Sequence, residues 1–197
     1  MDKTPTKDRV LDSALTLFAE KGYDGVGVDL IAENAGIKGP SLYKHFKGKE
    51  DILDALIEKA ENYYEVNFGS ENHLGAIPSS MDELITLSLK RIEFTLHDPM
   101  IKKVRRMLTM EQFRSSRIAV LTTKYNMESV QGLYCRLFQS MMNSGIMRKS
   151  DPVLLSMSFT APVSLLIQKC DREPEREREA MKRIVEYFRW CAEENKV

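Results

Sequence analysis

The stretch Val28-Asp29-Leu30-Ile31-Ala32-Glu33-Asn34-Ala35-Gly36-Ile37-Lys38-Gly39-Pro40-Ser41-Leu42-Tyr43-Lys44-His45-Phe46 decides the fold. Its apolar spacing predicts two short helices, over about 28–35 and 40–46, with Gly36-Ile37-Lys38-Gly39 between them. Leu42 and Phe46, four residues apart, form the inward anchor of the second. Upstream, Val10, Leu11, Ala14, Leu15 and Phe18 make the core stripe of a first helix. Thr4 or Thr6 is its expected cap, and Gly22 is expected to end it in a left-handed conformation before a tight loop with Gly25 and Gly27. Downstream, Gly48 opens a longer helix with Ile52, Leu53, Leu56, Ile57 and Ala60 on one face. A supporting helix, two short helices joined by a glycine turn and a longer helix are the layout of a helix-turn-helix, whose second short helix enters the major groove of DNA.

Charge follows the same segment. From Asn34 to Lys49 the chain carries Lys38, Lys44, His45, Lys47 and Lys49 and no Asp or Glu, whereas residues 1–50 as a whole balance at eight basic and eight acidic side chains. Positive charge is thus concentrated where phosphates would lie, as counterion release requires. A solvated face is the plainer reading of such a run. The placement of Ser41, Tyr43, Lys44 and His45 on the sides and outer face of an anchored helix favours the nucleic-acid reading.

Continued through Lys47-Gly48-Lys49-Glu50-Asp51-Ile52-Leu53, the stretch closely resembles the helix-turn-helix of the TetR family of bacterial transcriptional regulators, over roughly residues 8–55. The Ile-Ala…Ala-Gly-Ile turn, the Leu-Tyr-x-x-Phe recognition helix and the Lys-Glu start of the next helix occur together at the family spacing. The resemblance implies that Tyr43 and Lys49 hold backbone phosphates, and that Lys38, Gly39, Pro40, Ser41 and Lys44 lie at or near base edges. Val28 and His45 complete the expected DNA-contacting set. Two departures stand out: Gly27 replaces a frequent capping Thr, and Lys38 replaces a common capping Ser.

The same resemblance implies a DNA-binding domain over residues 1–47 and a helical ligand-binding and dimerisation domain over 48–197, linked by a helix from about 48 to 67. It implies a homodimer on a palindromic operator of double-stranded DNA, and a repressor released when an unknown small molecule binds the second domain. Tyr64, Phe68, Phe94, His97, Met107, Met110, Phe113, Tyr134 and Phe138, with Met141 and Met142, are the soft and aromatic residues expected to line that site, although such a set is also ordinary core. The last two helices are expected at the dimer interface through Met157, Ala161, Ser164, Leu165, Gln168, Ile184 and Phe188. Residues 152–168 support this independently. They carry no formal charge and are apolar all round, so this helix is expected to be covered on more than one side; the central helix of a monomeric bundle is the alternative.

The remainder reads as all-α, about nine helices in total. A helix over 81–96 stops at Asp98-Pro99, a long pattern spans 116–143, Asp151-Pro152 starts another helix, and a last one follows the charged break 171–174, with Met181, Ile184, Val185, Phe188 and Cys191 on its inner stripe. Residues 68–80 are the expected loop between parts, and 118–123 has strand propensity between helical flanks. The basic cluster Lys102, Lys103, Arg105 and Arg106 reads as a solvated face.

With 43% hydrophobic and 29% charged residues over 197 positions and zero net charge, the composition is that of one or two small globular domains. Cys135, Cys170 and Cys191 show no C-x-x-C spacing, so a reducing, cytoplasmic setting is expected. The start MDKTPTKDRV has no apolar h-region, and 152–168 holds too many hydroxyls, with Pro162 inside, for a membrane span. His45, His73 and His97 are far apart, the glycines at 22, 25 and 27 follow a helix rather than a strand, and no nucleophile-elbow or phosphate-loop motif occurs. No catalytic residue, metal or cofactor is expected. The competing reading is an all-α small-molecule binding module or enzyme with a vestigial helix-turn-helix.

Overall fold

The computed structural model describes residues 4–68 and 74–197. Ten α-helices run in order: α1 (Thr6–Lys21), α2 (Val28–Asn34), α3 (Gly39–Leu42), α4 (Lys49–Phe68), α5 (Met81–His97), α6 (Pro99–Glu111), α7 (Ser116–Thr123), α8 (Ser129–Asn143), α9 (Pro152–Arg172) and α10 (Glu177–Asn195). A π turn at Lys124–Glu128 joins α7 to α8 without a break, so the ten helices make nine rods among the described residues. The expected bounds 116 and 143 are met, and the strand propensity at 118–123 loses to its helical flanks. Extended pairing among the described residues is limited to one bridge, Met147 with Lys196.

Packing divides the chain into two compact units: Met1–Tyr63 with Pro99–Thr122, and Tyr64–Asp98 with Thr123–Val197. In the first, α1 lays Val10, Leu11, Ala14, Leu15 and Phe18 inward, as its spacing requires. Its N-cap is Pro5, with no side-chain cap bond, which corrects the expected Thr4 or Thr6 cap: Thr6 is already inside the first turn. Gly22 closes the helix at φ +78°, its N–H donating to the Phe18 carbonyl at 3.0 Å. A Cβ there would lie 2.3 Å from Oε1 of Glu111, so the positive φ and the approach of α6 both select glycine. On α6, Val104, Met107, Leu108 and Glu111 face inward, and Lys103 donates to the Thr16 hydroxyl at 3.0 Å. The solvated-face reading of the basic cluster fails at Arg105, which is buried because it borders that inner stripe. The α4 helix starts at Lys49 rather than Gly48, and the carboxylate of Asp51 in its first turn accepts from the Lys47 N–H at 2.8 Å, holding the entering chain.

In the second unit, α5 opens on a capping box. The Ser80 hydroxyl accepts from the Glu83 N–H at 3.1 Å, and the Glu83 carboxylate accepts from the Ser79 N–H and hydroxyl at 2.6 Å each. These bonds hold the Glu83 carboxyl below its usual range. Of the expected loop over 68–80, residues 69–73 lie outside the described residues, Phe68 still belongs to α4, and Ser79 and Ser80 form this cap. Asp151 caps α9 by accepting from the N–H groups of Val153 (2.8 Å) and Leu154 (3.1 Å), with Pro152 in the first turn, as its sequence predicts. The helix continues to Arg172, and a short 3₁₀ turn, Pro174–Arg176, occupies the end of the expected break.

The core of this unit is aromatic. Phe138 and Phe188 are fully buried, and Phe159 stacks on Phe188 with ring centroids 4.4 Å apart and planes 7° apart. Pro162, inside α9, has no N–H to give the Ser158 carbonyl, and the Tyr187 hydroxyl on α10 donates to that carbonyl at 2.5 Å instead. Burial, and then the hydrogen bond with Cys191, push the Tyr187 phenol well above its ordinary pKa, so it stays a donor.

Candidate nucleic-acid interface

The reading head is built from α2, the turn and α3. Gly27 and Lys38 stand at the N-caps in extended conformations (φ −91° and −81°) with no side-chain cap bond, matching the two departures from the family pattern. Between the helices Gly36 takes φ +67°, which lets its N–H reach the Glu33 carbonyl (3.0 Å) and the Ile37 N–H reach that of Ala32 (3.0 Å). The regular part of α3 is shorter than the expected 40–46. Beyond Leu42 the chain keeps coiling through turns, with the N–H groups of His45 (2.9 Å) and Phe46 (3.0 Å) both donating to the Leu42 carbonyl. This tightening brings Phe46 inside: Leu42 is 0% and Phe46 3% exposed, so the anchor pair holds the segment as its spacing predicts.

With the anchors inside, Lys38, Pro40, Tyr43, Lys44 and His45 are exposed, and Val28, Gly39 and Ser41 are half-buried beside them. These eight residues lie on α2, at the N-cap of α3, on α3 and in the turn after it. Lys49 differs. Its ammonium donates to the Tyr23 carbonyl at 2.9 Å and lies 4.3 Å from the centre of the Tyr23 ring, tying the loop after α1 to the start of α4. Two of its three protons remain for another acceptor. Burial first, and the Glu50 charge second, push the Tyr23 phenol above its ordinary value, so the ring carries no negative charge beside the lysine.

The pattern described as "Bacterial regulatory proteins, tetR family" matches residues 10–56. The chain is 32% identical over 126 residues to IcaR of Staphylococcus epidermidis, the negative transcriptional regulator of a biofilm operon, covering 49% of this chain and 68% of that one. The chain belongs to the TetR family. The likeness of this TetR-family protein to IcaR of Staphylococcus aureus reaches 46% identity but is confined to 57 residues, 29% of this chain and 31% of that one. In fold it matches a TetR-assigned protein of Mesorhizobium loti (TM-score 0.76, 20% identity, 98% and 97% covered) and a SmeT–triclosan complex (TM-score 0.74, 18% identity, 98% and 92% covered). As a member of the family it is a DNA-binding transcriptional regulator.

The residues expected around an effector divide. Tyr64, Phe68 and Phe94 form an aromatic triad with centroids 5.0 to 5.9 Å apart, and Tyr134 and Phe138 pack with Phe159 and Phe188 in the same unit. His97 is exposed and its Nε2 lies 2.9 Å from the Glu177 carboxylate, joining the end of α5 to the start of α10. Met107, Met110 and Phe113 belong to the first unit: Met107 is fully buried against its core, while Met110 and Phe113 are exposed. Met141 and Met142 are core. A shallow surface hollow, lined by Glu128, Gln131, Gly132, Cys135, Val153 and Ser156, includes none of the expected residues.

Sequence reading missed Arg91, which is only 4% exposed. The signal was present. The buried stripe Leu84, Ser88, Ile92 and Leu96 runs at four-residue intervals, and position 91, three beyond Ser88, lies on its edge.

Of the expected interface, Met157, Ala161, Leu165 and Gln168 are exposed on α9 and Ser164 is half-buried, with Val153 and Leu154 exposed beside them. The covered side of α9 is Ser156, Phe159, Thr160, Leu166 and Cys170, so within the chain this helix is buried on one side and carries exposed apolar residues on the other. By length and composition α9 would also suit a membrane, yet that covered side belongs to the core of its unit. Ile184 (3%) and Phe188 (0%), expected at the interface, are instead covered by the core of this chain's own second unit. The inner stripe of α10 is the reason: both sit on it, and the exposed apolar residue of that helix is Trp190.

Proposed function

We propose that the protein is a homodimeric, non-catalytic cytoplasmic repressor that holds a palindromic operator and lets go when a small molecule binds. Residues 1–47 would read DNA and 48–197 would carry effector binding and dimerisation, α4 being the continuous helix that passes from one packing unit to the other between Tyr63 and Tyr64. The observation that carries the reading is the acid-free basic segment Lys38–Lys49, displayed outward over buried Leu42 and Phe46. Lys38, Gly39, Pro40, Ser41 and Lys44 are assigned to base edges and nearby backbone, Tyr43 and Lys49 to phosphates, with Val28 and His45 at the margins. Repression follows the negative regulation named for IcaR, and the triclosan complex of a fold neighbour supports a small-molecule effector. The dimer face we assign is the stripe Leu154, Met157, Ala161, Leu165 and Gln168 of α9, with Ser164 at its edge, joined by the exposed Trp190 of α10. Effector binding would favour a conformer whose two reading heads no longer match major grooves about 34–36 Å apart. A coupling of about 1–3 kcal/mol weakens operator binding roughly 5- to 150-fold.

Selection of bound fragments from the source genome with purified protein tests this. An inverted repeat is expected, and recovery of unrelated fragments would overturn the reading. On the recovered site, Lys49→Ala weakens binding to operator and random duplex alike and lowers the salt slope by about one unit; an unchanged slope removes Lys49 from the phosphate contacts. Lys44→Ala lowers operator affinity more than random-duplex affinity, and equal losses exclude base readout by Lys44.

A further inference from the structure

Arg91 is a buried cation with no anionic partner among the described residues. Its Nη2 donates to the Phe68 carbonyl, and its guanidinium carbon lies 5.9 Å from the Phe68 ring centre and 5.5 Å from that of Tyr134. Nε and Nη1 have no acceptor. Among the described residues of this unit, Arg91 alone keeps buried side-chain polar atoms unpartnered. Buried hydroxyls of the same unit are satisfied: the Tyr134 hydroxyl donates to Ser88 (2.9 Å), Ser88 to the Leu84 carbonyl (2.7 Å), and Thr160 to the Ser156 carbonyl (2.8 Å). Aromatic faces offset part of the desolvation of a guanidinium, but they accept nothing from N–H groups in its plane. A buried charge left in this state is costly, and it persists in native proteins where something else completes it.

We propose that Arg91 is the anion-recognising group of the effector site, and that the effector is a monocarboxylate with an apolar body. This rests on the effector reading above and narrows it to a chemical class. Guanidinium N–H donors match the carboxylate plane, and a single unopposed cation suits one negative charge better than a phosphate dianion. The apolar body has walls at hand: Tyr64, Phe68 and Phe94, each half-buried as a residue, form an aromatic triad in the same unit as Arg91. Burial pushes the Tyr64 phenol above its ordinary value, against the hydrogen bond with Thr95 and the charge of Arg91, so this hydroxyl stays neutral and does not repel an anion.

The test is calorimetric titration of the full-length protein with octanoate and 4-phenylbutyrate, against octanamide and 4-phenylbutyramide. The parent is expected to bind the acids at least about 10-fold more tightly than the amides. Arg91→Met should close that gap by weakening acid binding far more than amide binding, which loses only a bond to a neutral carbonyl, and Arg91→Lys should keep part of the gap. Equal affinity of acid and amide for the parent, absence of acid binding at millimolar concentration, or full acid binding by a folded Arg91→Met protein each overturns the proposal. The parent comparison decides even where a variant does not fold. Operator binding measured in parallel separates the two levels. Acids that bind through Arg91 without releasing DNA defeat the effector reading alone, whereas release by neutral compounds with no acid binding defeats only the assignment of Arg91.

Discussion

Leu165→Glu gives a folded protein that sediments as a monomer and binds operator about 10²- to 10⁴-fold more weakly than the parent. Leu165 is 68% exposed within a protomer, so a carboxylate there stays in water and the helix content is unchanged. In a symmetric pair the same carboxylate is desolvated and faces the equivalent region of the other copy, a cost that an interface of this kind does not recover. The stripe Leu154, Met157, Ala161, Leu165 and Gln168 advances by three, four, four and three residues, the spacing of a seam between packed helices, with Ala161 small enough for close approach. Each half-site contact then acts alone, and the second no longer benefits from a high local concentration. Sedimentation and operator titration measure both halves of this expectation. A variant that remains dimeric places the interface elsewhere.

Phe188→Ala lowers stability by about 3–5 kcal/mol, the range for deleting a buried aromatic ring. Its ring is fully enclosed and stacked on Phe159, so truncation leaves a void bounded by Phe159 and the rest of the core. Urea unfolding of Phe188→Ala measures the loss, and repeating it in the Leu165→Glu background distinguishes the two places this residue has been given. A core ring costs the same in the monomer as in the dimer. If the penalty vanishes in the monomer, Phe188 belongs to the contact between copies.

The difference between Leu165 and Phe188 shows what the sequence could reveal. Periodicity identifies which residues share a face, and it found α1, the anchor pair Leu42 and Phe46, the inner stripe of α10 and the two apolar sides of α9. It does not say whether a face meets its own protomer or another, so Ile184 and Phe188 were grouped with Met157 although they lie inside. The helix-turn-helix was the most legible part because its determinants are local: a glycine at positive φ, two anchors four apart and a segment free of acids. The effector region was the least. Aromatic residues far apart in sequence, such as Phe68 and Tyr134, come together only through tertiary packing, and nothing in their spacing separated them from Met107 or Phe113. Arg91 escaped notice for a different reason. A charged residue is discounted on an inner stripe, although an arginine kept there is more informative than another leucine. The tie between Lys49 and Tyr23 was hidden because it joins a side chain to a backbone carbonyl 26 positions away.

The bond from Tyr187 to the carbonyl left open by Pro162 links the two positions in sequence drift. Losing the imino acid first is tolerable, since a restored amide can serve the oxygen and leaves the phenol redundant. Losing the phenol first leaves the carbonyl of the exposed Ser158 to solvent. Both routes to the variant lacking both are therefore open to descendant chains, the proline step keeping the oxygen bonded within the helix and the phenol step handing it to water.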